Sequence, residues 1–389
     1  MPTYVSGSRG TGTGGIGADV RKYDVSDKLW MVDPEYATLA FFVRKLNKMK
    51  TTDPEYRWFE KTSPSRYDAI NLVTGYTSGA TSIVVDTGTK FRAGHVIQDV
   101  TTGEQMRVTN VSTNTLTVSR GRGTTSATSI ADNEVIVILG SAHEEGASLP
   151  SAITTQASKV ANYTQIFREP FDVTNTADAT EIYAGPSDLA ILRREHLQLH
   201  MKDIERAFFF GEKKEDVSTG THPIRATGGA RGFITTNVKT EASLTEAEFE
   251  DWISDIFSKG GDKKMGFLSP LIASAVNSWA VGKLQMFPRD KTYGIAVSNY
   301  LSIHGELNFV VEKLFSETTT YNGYAFAFDM QNLAYRYLAG NGKNRDTSLL
   351  KNRQTAGDDK TIEEYLSEIG FQLAVENRHG FLNGVTAYT

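Results

Sequence analysis

The chain has 389 residues, 39% of them hydrophobic and 22% charged, enough to bury cores in more than one domain. It contains no cysteine, which excludes disulfides, thiolate metal sites and cysteine nucleophiles. A formal charge of −5 lacks the basic field of a sequence-specific nucleic-acid binder, so any contact with nucleic acid is expected to be weak and local.

No apolar run approaches the roughly 18 residues that cross a bilayer, and no signal-peptide core opens the chain. Export and membrane insertion are not expected, and a reducing cytoplasm is the expected place of folding.

Residues 1 to about 30 are rich in Gly, Ser and Thr, as in Ser6-Gly7-Ser8-Arg9-Gly10, and read as an arm that orders only on a neighbour. Asp33 as N-cap and Pro34 at the first helical position then start a helix with a stripe of Leu39, Phe42, Val43 and Leu46. Tyr56 to Arg66 and Ala161 to Glu169 read as two arms of an extended ribbon. Between them, residues 75–139 change character. Short β-type runs at Ser82–Val85, His95–Ile97, Gln105–Val108, Thr115–Val118 and Val135–Ile138 alternate with glycine turns, which predicts a small antiparallel barrel or sandwich inserted as a module.

A long helix follows. Ser187 is its expected N-cap and Gly211 its expected terminator. Leu197, Met201, Ile204 and Phe208 form its apolar stripe, widened by Leu192, His196 and Leu199. At about 24 residues it would be about 36 Å long, which suits a spine lying across a sheet. A glycine turn at Gly228-Gly229-Ala230-Arg231-Gly232 comes next.

Thr245 and Glu248 then form a capping box for an amphipathic helix of Phe249, Trp252, Ile253, Ile256 and Phe257, closed by Gly260-Gly261. Ser269-Pro270 opens another helix, reaching about Trp279. Strands are predicted at 309–311, 324–328 and 333–338, and a polar surface loop at 340–360. Phe371 to Asn377 alternates as a half-buried strand does, while Thr361 and Glu364 leave a short helix open there.

Reactive groups are sparse. Gly12-Thr13-Gly14-Gly15-Ile16-Gly17 has a dinucleotide-type spacing without the strand and helix that the chemistry requires. His196 and His200 are four apart, but Leu197 stands where a zincin has Glu. Asp358-Asp359 and Glu363-Glu364 read as solvated acids in a polar loop. His379 is single. No catalytic, cofactor-binding or metal-binding residue is predicted. Arg120, Arg122 and Arg231 lie in glycine-rich turns, and Arg193 lies off the spine stripe; each is either solvated surface or a candidate for contact between subunits.

Gly103 to Val108, Thr115 to Gly121 and Gly123-Thr124-Thr125 resemble a β-module of tailed-phage virion proteins. Glu144-Glu145-Gly146, Asn162-Tyr163-Thr164-Gln165-Ile166-Phe167-Arg168, His200 to Ala207, Gly228-Gly229, and Glu376-Asn377 with His379-Gly380 are similar to a family of tailed-phage major capsid proteins. The resemblance covers roughly residues 50–389. It implies an α+β chain with the Hong Kong 97-type capsid fold. The implied layout is an N-terminal arm with helix over 1–52 and an extended loop over 53–170 carrying the insertion at about 75–139. A peripheral domain would span 171–240 with the spine at 187–210, an axial domain 241–360, and a strand over 361–389 would return to the peripheral domain. It further implies a non-enzymatic subunit that self-assembles into hexamers and pentamers of an icosahedral head around double-stranded DNA, built in the bacterial host cytoplasm. The short N-terminus points to a separate scaffolding protein. A portal, a cement protein and weak contact with packaged DNA complete the expected partners. A tail or baseplate protein and a cytoplasmic enzyme are the competing readings.

Overall fold

The computed structural model describes residues 38–181, 187–217, 222–283, 290–292 and 295–389. The Gly12–Gly17 run and the Asp33-Pro34 helix start lie outside them. The chain divides into two compact units, one of residues 1–58 and 161–389, the other of residues 59–160.

In the first unit the spine helix runs over Asp188–Phe210. Both predicted caps work differently from expectation. The Ser187 hydroxyl makes no cap bond, and Gly211 has an ordinary φ of −57°. Glycine is needed at 211 for space, because a Cβ would sit 2.5 Å from the carbonyl oxygens of Ala207 and Thr227.

The buried face of the spine is also shifted. Ile204 and Phe208 are fully buried as predicted, but Leu197 and Leu199 are 38% and 49% exposed. In its first half the helix meets polar strand side chains, so Arg193, His196 and His200 turn to the sheet there. Arg193, His196, His200, Ile204 and Phe208 recur at helical spacing, a face that a hydrophobicity pattern cannot register. Phe208 packs on Tyr335 and Phe371 of one sheet, while Phe209 packs on Phe267, Phe326 and Phe328 of another. The two sheets therefore share one core at the C-terminal end of the spine.

The first of these sheets has strands in the order Lys48–Thr51, Leu333–Gly340, Lys360–Leu373 and Gln165–Thr174, with short Lys343–Asn344 and Ser348–Leu350 added to the middle pair. Lys360–Leu373 is a 14-residue central strand, longer than the sequence suggested. The alternative helix at Thr361/Glu364 does not form, because Thr361–Glu364 pairs with Pro170–Val173 on one side and Glu364 pairs with Leu350 on the other. The strand also ends earlier than predicted: Val375 adopts a left-handed φ of 58°. Residues 340–360 contain two short strands and are not a plain loop.

The second sheet runs Val238–Thr240, Gly380–Asn383, Ala325–Phe328, Lys263–Leu268, Gly305–Val311, Ile295–Ser302 and Asp290–Thr292. Helices Glu246–Phe257 and Pro270–Lys283 supply its separate core of Phe249, Trp252, Ile253, Ile256, Ile272 and Val276. The capping box forms: the Thr245 hydroxyl accepts from the Glu248 N–H at 3.3 Å, and Glu248 accepts from the Thr245 N–H at 2.7 Å. The buried Lys264 amine donates to the carbonyls of Ile256, Lys259 and Arg378, tying the end of that helix to the turn before Gly380–Asn383. Burial lowers its pKa to about 8.

The second unit holds a six-stranded antiparallel sheet, ordered Tyr67–Ala69, Val135–Ser141, His95–Asp99, Gln105–Ser112, Thr115–Ser119 and Ser82–Val84. A bridge between Ile70 and Val85 joins its ends, so the sheet closes as a barrel. Ile83, Ile97, Met106, Val108, Leu116, Val118, Ile136 and Ile138 alternate inward to fill it. The barrel starts at Tyr67 and ends at Ser141, wider than the predicted 75–139. The chain enters and leaves this unit through paired strands Glu55–Glu60 and Ser158–Tyr163. Of the predicted second ribbon arm, Gln165 to Glu169 pairs with the central strand of the first sheet.

Candidate assembly surfaces

The Asn162-Tyr163-Thr164-Gln165 motif sits where the ribbon meets the first sheet, and its asparagine is a buried hub. Asn162 Nδ2 donates to Gly228 O at 2.9 Å, Phe371 O at 2.6 Å and Thr227 Oγ1 at 3.2 Å. Its Oδ1 accepts from the N–H groups of Tyr163 and Gly228, both at 2.8 Å. Tyr56, on the other ribbon strand, donates to the same Phe371 carbonyl at 2.7 Å. Burial pushes the Tyr56 phenol far above its usual range.

The Gly228-Gly229 pair belongs to this hub for steric reasons. A Cβ at Gly229 would lie 2.5 Å from Ala207 O, and one at Gly228 would lie 3.0 Å from the Phe233 ring. One side chain thus ties the ribbon root and the central strand to the Thr227-Gly228 turn, which packs on the spine C-terminus. Sequence reasoning singled out both motifs without finding this shared contact, since they are more than 60 residues apart in the chain.

Along the spine, several charged groups are paired inside the subunit. Arg193 makes a two-pronged pair with Glu363, Nε and Nη2 each at 2.6 Å. Arg168 and Arg353 hold Glu364 from the opposite face of the strand, at 2.5 and 2.8 Å. Glu363 and Glu364 are 2% and 3% exposed, so they are paired strand residues and not loop acids. The Arg193 guanidinium holds Glu363 below the usual carboxylate range. His196 meets Glu169 at 2.8 Å and His200 meets Ser367 at 2.6 Å, so the two histidines have separate protein partners. Burial lowers the His200 pKa to about 4. Among the described residues no cluster of His, Asp and Glu could hold a metal.

Glu205, fully buried on the spine, accepts from the N–H groups of Leu39 and Ala40, both at 2.7 Å. A carboxylate at the first turn of the Thr38–Leu46 helix satisfies free donors and suits the helix dipole. The hydrophobic stripe gave no signal for this contact. Burial, with the Glu205 charge next, raises Glu312 well above the carboxylate range.

The four arginines divide. Arg120 is a barrel clamp: it pairs with the buried Glu104 through Nε at 2.9 Å and Nη2 at 2.5 Å, and donates to the carbonyls of Thr77 and Thr128. Arg193 is engaged as described. Both have their donors directed at partners within the chain. Arg122 and Arg231 are exposed, and their side chains have no ion pair among the described residues. They remain candidates.

A family model described as SU10 major capsid protein matches residues 8–386. A relative, the major capsid protein of Pseudomonas phage PaMx41, is 27% identical over 296 residues, 72% of this chain and 70% of that one. Among solved structures, the capsid of a native GTA particle resembles the chain at 9% identity and a TM-score of 0.47, over 96% of this chain and 98% of that one. Microbacterium phage Oxtober96 resembles it at 8% identity and a TM-score of 0.46, over 95% and 97%. At such TM-scores these two likenesses carry no weight. Matched by the family model over all but its ends, the chain belongs to the SU10 major capsid protein family: it is the major capsid protein of a tailed phage, a virion component whose described residues form an α+β fold.

Proposed function

We propose that the chain acts without enzymatic chemistry, as the subunit of hexamers and pentamers that close into an icosahedral head around double-stranded DNA. In this reading residues 59–160 with their flanking strands are the extended loop and its inserted module. The spine and the sheet beneath it are the peripheral domain, and the seven-stranded sheet with its two helices is the axial domain. Assembly takes place in the host cytoplasm. A separate scaffolding protein templates the shell, a portal occupies one vertex, and a cement protein binds the finished head. Arg122 and Arg231 contribute contacts between subunits.

The observation that carries this reading is the apolar surface left uncovered in residues 59–160: Phe59, Val73 and Leu149 are 73%, 89% and 97% exposed. Exposed apolar side chains gain burial when another chain covers them, and in a shell the nearest chain is a second copy. Sedimentation and negative-stain microscopy of the protein, expressed with its scaffolding partner, should show capsomers and polyhedral shells. A chain that stays monomeric at high concentration under those conditions refutes the reading.

A further inference from the structure

We propose that the strap Arg44–Lys50, with Lys343 on the neighbouring hairpin, is a phosphate-contact site for the enclosed duplex DNA; this rests on the capsid reading above. Arg44, Lys45, Lys48 and Lys50 place four cations in seven residues, and no acidic residue occurs from Thr38 to Thr52. The strap crosses from the last turn of the Thr38–Leu46 helix into the edge strand Lys48–Thr51. Lys48 and Lys50 lie opposite Tyr335 and Tyr337 in parallel register. They share a strand face, about 6.7 Å apart at the usual rise per residue. Across the same central neighbour, Lys343 pairs with Gly340.

The charges are not cancelled locally. Asp346 is the carboxylate at the patch, and it serves both Arg44 at 3.3 Å and Lys48. Lys45, Lys50 and Lys343 are exposed and have no ion pair among the described residues. Five cations against one carboxylate leave a net charge of four in a chain whose overall charge is −5. Of the other acids nearby, Glu368 holds Arg345, and Asp53, which accepts from the Glu55 N–H at 2.8 Å, lies three residues beyond the strap.

Lysine on an edge strand also prevents edge-to-edge pairing. That role accounts for Lys48 and Lys50, but not for Lys45 on the helix or Lys343 on the hairpin. Lysines are hydrated point charges without the planar fork that reads a carboxylate two-handed. A row of them suits the sequence-independent phosphate backbone better than a fixed protein partner. The Lys48 amine, paired with Asp346, also lies 4.9 Å from the Tyr337 ring centre, which holds it in line.

The test uses full-length unassembled protein and a generic DNA duplex, with fluorescence anisotropy over a salt series. Four uncompensated charges predict a log–log salt slope of about −3.6, or about a 150-fold loss of affinity from 50 to 200 mM salt. Lys45→Gln/Lys50→Gln/Lys343→Gln should flatten the slope to about −0.9 while shells still form. Lys159→Gln, an exposed lysine in the other unit, should leave the slope unchanged. A triple variant with the parental slope overturns the proposal. So does one that binds DNA normally but no longer assembles, because the patch would then meet another copy. Shell formation is scored without DNA, so failure of the capsid reading is seen separately.

Discussion

Replacing Asn162 with alanine should loosen the ribbon root while leaving the barrel unchanged. The side chain is fully buried; its Oδ1 accepts from the Tyr163 and Gly228 N–H groups and its Nδ2 donates to Gly228 O. Phe371 O keeps the Tyr56 hydroxyl. Three backbone groups therefore lose a partner, at about 1–3 kcal/mol for each that water cannot reach. Tyr163 is half-buried, so its N–H is partly re-solvated, and the total comes to about 4 kcal/mol. With a urea m-value of about 3 kcal/mol/M, the midpoint of the larger unit should fall by about 1.3 M. Amide exchange should accelerate at Tyr163, Gly228 and Phe371 and stay unchanged in residues 67–141. The exposed control Arg231→Ala should change stability by less than about 0.5 kcal/mol. An Asn162→Ala protein with the parental midpoint and unchanged protection at Gly228 would refute the hub.

Three further outcomes follow from buried contacts. Ile204→Asp places a charge in a fully buried apolar site, and several kcal/mol of destabilisation should abolish soluble subunit and assembly, as soluble yield will report. Arg120→Ala strands the buried Glu104 carboxylate and should cost about 3–5 kcal/mol, so limited proteolysis should open residues 67–141 first, whereas Arg122→Ala should not. Arg193→Glu, harmless if Arg193 were free surface, should instead destabilise the spine by setting two carboxylates against each other. Because Arg193 depresses the folded pKa of Glu363, the stability it contributes is present above the ordinary carboxylate range and lost as pH falls through the depressed value. Denaturation midpoints of Arg193→Gln should therefore depend less on pH between about 3 and 5 than those of the parent.

The elements most legible in the sequence were those specified by neighbours in the chain. The capping box at Thr245/Glu248 formed as read, because its donors and acceptors lie within one turn. The barrel strands formed close to their predicted runs, because period-two alternation and glycine turns are local signals. The spine was readable in its length and less so in its face. Arg193, His196 and His200 turn to the sheet because Glu363, Glu169 and Ser367 await them, and those partners are remote in sequence.

By itself the sequence determined the long helices, the barrel strands and, through its motifs, the family. Propensity, period and capping act over a few residues, so they are complete in one dimension. Tertiary structure alone decided which polar groups are free. Arg120 and Arg122 share one glycine-rich turn, yet one is clamped on Glu104 and the other is exposed. Asn162, Thr227 and Phe371 become one hub only when three distant strands and the spine end converge, because a hydrogen bond needs atoms within about 3 Å and the chain order does not record that distance.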